Sequence, residues 1–262
     1  MPFVTAAGTR VHFTDTGGDG PAVILSHGFF LDHEMFARQA SELGTEYRII
    51  AVDARGHGLT EDAGEPFTYW DLANDVWAVV DALGIEKVVA GGMSQGGYTA
   101  MRMALQRPER VRGLILIATS AEPYTPEEQA RYRGIMKAWM GMTPFEPMAE
   151  VTAKTMIGGS PEDQRPWIDK WCTGDRGRIR LAADCLIERE SVAEAIGGLE
   201  QAVVLIRGEH DQAESHEDMA RLAKQFGGAA EFHTIAGATH GVNITHAAEV
   251  NTLLRGYLSG LE

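Results

Sequence analysis

Gly92-Met93-Ser94-Gln95-Gly96 sets a serine between two glycines, with further glycines at 91 and 97. The apolar run Lys87 to Ala90 precedes it, and a helical pattern, Gly97 to Arg107, follows. A serine on a sharp strand-to-helix turn is held in a strained backbone and presented to a cleft. Side chains at the flanking positions would collide there, so glycines occupy them. The helix that follows would aim its positive end and free N–H groups at the same spot. This context points to Ser94 as a nucleophile in acyl transfer; the alternative is a glycine-rich turn carrying an idle serine.

A serine hydroxyl needs a base. Of nine histidines, His240 lies between the strand-like stretch Glu231 to Ile235 and a final helix, Thr245 to Leu258. Loops at the carboxyl ends of strands are where an open parallel sheet collects its active site. Asp211, after the apolar run Val203 to Ile206, would orient the imidazole and completes the order serine, acid, histidine. Glu209 and Glu214 are acidic neighbours of that position. An oxyanion requires two N–H donors. The amide of Gln95, next to Ser94, is one. The other is the amide of Phe29, in Ser26-His27-Gly28-Phe29-Phe30, where Gly28 lets the backbone approach closely. The side chain of His27 is expected to hold that loop rather than take part in chemistry.

These residues need a scaffold at whose edge they can meet. The short apolar runs Ala22–Leu25, Arg48–Val52, Lys87–Ala90, Leu114–Ile117 and Val203–Ile206 lack polar alternation, so both sheet faces should be covered. Helix-like stretches such as Tyr69–Leu83 lie between them, which predicts a parallel sheet with helices on both faces. Val11 to Asp15, running into the Gly17–Gly20 turn, predicts an antiparallel edge hairpin. From 122 to 198 no buried strand is apparent. Pro123 and Pro126 open this stretch and Gly197-Gly198 close it, so it reads as a helical cap inserted into a core made of 1–121 and 199–262. Trp139, Met142 and Phe145 of the insertion, with Phe30, are candidates for a substrate pocket. The same cap side chains could equally form the insertion's own small core.

The chain has 262 residues and a formal net charge of −14. One large domain with an insertion fits that length. The negative balance disfavours a nucleic-acid partner. No stretch approaches a membrane span, and the first ten residues lack the features of a signal peptide, so a cytoplasmic location is expected. Cys172 and Cys185 are expected to be reduced and buried.

The ordered set His27-Gly28, Asp53-Ala54-Arg55-Gly56-His57-Gly58, the Ser94 turn, Gly208-Glu209-His210-Asp211 and Thr239-His240-Gly241 resembles the α/β-hydrolase superfamily. Phe29 to Phe36 and His240 to His246 look like its bacterial arylesterase and perhydrolase branch, with enol-lactonases close in pattern. The resemblance implies the α/β-hydrolase fold: an eight-stranded, mostly parallel sheet flanked by helices, with a helical cap after strand six. It also implies a structural role for Asp53, Arg55 and His57. Some relatives take their acid from the loop after strand six, where Glu122 stands here. Gln95 and Gln212-Ala213 depart from the commoner methionine or leucine and proline. The expected activity is hydrolysis of a small-molecule carboxylic ester or lactone with no metal or organic cofactor. The same triad could serve C–C bond hydrolysis or perhydrolysis, and some proteins of this fold are ligand receptors.

Overall fold

In the computed structural model, which describes residues 2–261, eight strands form one sheet. They are β1 (Phe3–Ala6), β2 (Thr9–Asp15), β3 (Ala22–Ser26), β4 (Arg48–Val52), β5 (Val88–Met93), β6 (Val111–Ile117), β7 (Ala202–Gly208) and β8 (Ala230–Ile235). Their order across the sheet is β1-β2-β4-β3-β5-β6-β7-β8. β2 runs antiparallel to both β1 and β4, and all pairings from β4 to β8 are parallel. β3, β5, β6 and β7 are buried nearly throughout, as strands covered on both faces must be.

The helices are α1 (Ala37–Leu43), α2 (Tyr69–Ala82), α3 (Gln95–Gln106), α4 (Pro126–Gly141), α5 (Glu146–Thr152), α6 (Pro161–Thr173), α7 (Arg180–Ile187), α8 (His216–Gln225), α9 (Val242–Thr245) and α10 (Ala247–Ser259). Local chemistry fixes several of their starts. Thr68, Thr125 and Ser160 each cap a helix while the acid three residues on bonds back to the cap amide. Pro126 and Pro161 fill first-turn positions where no N–H is missed. Helices α4 to α7, with short irregular turns, make up the stretch between β6 and β7, in which no described residue is in a strand.

Three expectations need correction. The edge hairpin turns at Ala7-Gly8, both at positive φ, and not at Gly17–Gly20, which instead leads β2 into β3. Ala-Gly is a weak turn signal beside the Gly-Gly-Asp-Gly that follows. The final helix is broken: His246 adopts φ −119° and ψ 42°, which ends α9 and caps α10. Both cysteines are free, but Cys172 is exposed; only Cys185 is buried.

Candidate active site

β5 and α3 meet at Ser94, whose φ of 51° and ψ of −114° lie where a side chain is strained. Its amide donates to the Ile117 carbonyl at 2.8 Å, and Thr119 Oγ1 donates to its carbonyl at 2.7 Å. The glycines around it are obligatory. A Cβ on Gly92 would run into the backbone of Gly96, one on Gly96 into the Ser26 carbonyl, and one on Gly97 into Thr119.

Asp211 and His240 come together from the loops after β7 and β8. His240 Nδ1 lies 2.8 Å from Asp211 Oδ2, and both side chains are buried. The other carboxylate oxygen accepts the amides of Ala213 and Glu214 at 2.8 and 3.1 Å. Because an ionised carboxylate only accepts, Nδ1 carries the proton and Nε2 of the neutral ring is left with a lone pair. That Nε2 is buried and has no hydrogen-bond partner among the described residues. Burial disfavours the imidazolium, but the charge and hydrogen bond of Asp211, with Glu214 beyond it, outweigh burial and raise the pKa of His240 above its ordinary value. Asp211 is held low: burial would raise it, but His240 and the two amides prevail.

Glu122, the rival acid, is elsewhere. It accepts from Ser191 Oγ at 3.1 Å where the helical stretch begins and ends. Glu209 caps the Gly237 amide. Glu214 does enter the neighbourhood. Its carboxyl is buried against the Tyr98 hydroxyl, and burial pushes its pKa up to about 7.

The amides of Phe29 and Gln95 donate to no acceptor among the described residues. Gly28 to Leu31 forms a turn closed by Leu31 N–H to the Gly28 carbonyl at 3.1 Å. His27 spans the loop as expected: Nδ1 donates to the Gly28 carbonyl and Nε2 accepts the Ala54 amide, a pattern open only to a neutral ring, and burial lowers its pKa. Asp53, Arg55 and His57 are likewise engaged in holding turns. Arg55 grips Asp75 through two bonds, and His57 donates Nδ1 to the Arg55 carbonyl. Burial pushes His57 down to about 3. Among the described residues, His12, His33 and Asp53 gather metal-capable atoms within 4.8 Å of one another. The Asp53 carboxylate there already accepts Nδ1–H of both histidines and the amides of His33 and Leu59.

Of the four pocket candidates, three cluster. The Phe30 ring stacks on Trp139 at 3.9 Å, and Phe145 meets Trp139 edge-on at 4.9 Å. Met142 does not join them. It follows the last turn of α4 and is 42% exposed, because the chain turns away there. The structure adds Trp171, Lys170, Tyr69, Tyr98 and Glu214 around the loops. Glu214 stands three residues past Asp211, and that adjacency was the only sequence signal for it. For Trp171 the sequence gives an aromatic in an inserted stretch and nothing more.

Fold and site together define a class. Residues 21–155 match the family model of the alpha/beta hydrolase fold, and the chain belongs to that family. Along its whole length it is similar to a putative non-heme chloroperoxidase of Synechocystis, at 26% identity over 98% of this chain and 100% of the other. A shorter match, 33% over 42% of this chain, is to 3-oxoadipate enol-lactonase 1 of Acinetobacter baylyi. The chain spans about two fifths of that relative's length, 41%. Among solved structures, a thermophilic esterase from Thermogutta terrifontis superposes with a TM-score of 0.89 at 27% identity, covering 98% of this chain and 97% of that one. No helix of the described residues is long and apolar enough to cross a membrane.

Proposed function

We propose that the protein is a serine hydrolase that cleaves a carboxylic ester or lactone through an acyl-enzyme on Ser94. The observation that carries this reading is the state of His240: Nδ1 is tied to Asp211 and Nε2 is buried with its lone pair unused. Nε2 takes the proton from Ser94 as Oγ attacks the carbonyl. The amides of Phe29 and Gln95 receive the oxyanion, and the imidazolium, steadied by Asp211, protonates the leaving alcohol. Water then repeats the sequence on the acyl-enzyme. The esterase and enol-lactonase relatives support the substrate class, a small ester or lactone. The stretch 122–198 would act as the cap over the site, with Phe30, Trp139 and Phe145 facing the substrate.

A short p-nitrophenyl ester tests the reading. Many turnovers are expected, whereas a single round of labelling would mark a ligand receptor. Ser94→Ala should lower kcat by roughly 10⁴- to 10⁶-fold, as triads behave elsewhere. A fluorophosphonate should label the native protein at Ser94 and spare the variant. Retained esterase activity in a clean Ser94→Ala preparation sinks the assignment.

A further inference from the structure

The loop that carries the Phe29 amide is held from within by the bonds of Leu31 N–H and His27 Nδ1 to the Gly28 carbonyl, and also from outside. In the turn from Gly28 to Leu31, the third residue is Phe30, at φ 68°. A turn with positive φ at that position ordinarily has glycine there, since a β-carbon is strained in the left-handed region. Here a phenylalanine occupies it; its ring meets Phe29 edge-on within the loop, and further contacts reach it from outside. Trp171 Nε1 on α6 donates to the Phe30 carbonyl at 2.7 Å. Trp139 on α4 stacks on the Phe30 ring, with planes 26° apart. Lys170, beside Trp171, donates to Asp32 at 2.7 Å and pairs with Glu34 at 2.8 Å. Asp32 in turn caps the short helix that follows the loop. Neighbouring residues of α6 thus hold the loop at Phe30 and at Asp32, and α4 holds the ring between them.

We infer that Trp171 and Trp139 are positioning residues that force the Phe29–Phe30 turn into the strained form in which the Phe29 amide faces the oxyanion. The inference rests on the hydrolase reading above and extends it: the helices between β6 and β7 brace the loop that supplies one of the two oxyanion donors. The residues holding the loop also line a cavity of about 280 Å³, bordered by Phe30, Trp139, Lys170, Trp171 and His57. A group bound in that cavity touches the side chains that set the loop. An oxyanion donor acts where charge develops, so loosening the grip lowers kcat and leaves substrate affinity in place.

Trp171→Phe keeps an aromatic ring but removes the N–H donor and some of the indole's bulk. Two measurements on the full-length protein decide the matter. Hydrogen–deuterium exchange of residues 27–36 should quicken at least fivefold, with the central strands unchanged. With a p-nitrophenyl ester, kcat should fall about tenfold, KM should stay within twofold, and the acid limb of the pH profile should not move. Trp139→Phe, which thins the stack, should quicken loop exchange more weakly; because its ring faces the substrate it is read by exchange alone, and it serves if the first variant does not fold. Unchanged exchange in the loop overturns the inference, as does a loss that falls on KM with kcat intact. If the native protein turns over no ester, the hydrolase reading fails, while loop exchange still decides whether the tryptophans hold the turn.

Discussion

Replacing Glu214 with glutamine should make the protein more stable at alkaline pH and change little at acid pH. The Glu214 carboxyl is buried, and its one hydrogen bond among the described residues is a long one, 3.4 Å from the Tyr98 hydroxyl. Burial raises its pKa from an ordinary 4.5 to about 7, against the pull of His240 and Arg189. The folded protein therefore keeps a proton that the unfolded chain releases. Stability from this group is full below pH 4.5 and is lost as pH rises through 7. The size follows from the shift: at about 1.4 kcal/mol per pH unit, the loss is about 3 kcal/mol. Glutamine has no proton to lose and can still accept from Tyr98. Denaturant unfolding of both proteins at intervals between pH 4.5 and 8.5 reads the effect, given a two-state transition. The difference between them should grow with pH in favour of Glu214→Gln and level off above pH 8. A difference that stays flat across this range would falsify the placement of a buried, proton-holding carboxyl beside His240.

Two substitutions separate the proposed orienting acid from its rival. Asp211→Asn should cost up to about 10⁴-fold in kcat by leaving His240 Nδ1 without its acceptor, whereas Glu122→Gln should cost less than about tenfold; a near-normal Asp211→Asn enzyme refutes the pairing. Trp139→Ala should destabilise by about 3–5 kcal/mol as a large-to-small change in a packed cluster, while Met142→Ala, at an exposed position, should stay within about 0.5 kcal/mol. Thermal melts of the two variants decide this, and a large drop for Met142→Ala contradicts its exposure.

Much of the site was legible because its parts obey local rules. The glycines around Ser94 answer to collisions with the Gly96 backbone, the Ser26 carbonyl and the Thr119 side chain. His240 and Asp211 follow strands whose unbroken apolar runs announce burial on both faces. Contacts made across long separations were not legible. Nothing near Phe30 states that Trp171, 141 residues later, donates to its carbonyl. Glu214 looks like an ordinary loop acid until the fold closes Tyr98 over it. Met142 and Trp139 both sit in the same apolar-rich stretch, and only the end of α4 decides that one faces solvent and the other is buried.

The helical stretch between β6 and β7 begins and ends at nearly the same place. The Val192 amide donates to the Ala121 carbonyl at 3.0 Å, and Arg189 Nε donates to that of Glu122 at 3.1 Å. Residues 122–191 are therefore a detour with a closed mouth, and the registration of β6 against β7 does not depend on how long the detour is. Lineages can lengthen, shorten or exchange such an excursion without renegotiating the sheet. On the inference above, any replacement must still reach Phe30, so the freedom of the insert stops at the few side chains that touch the Phe29–Phe30 loop. Variation in this protein's lineage should run freely along the outer turns of the detour and stall at those contacts.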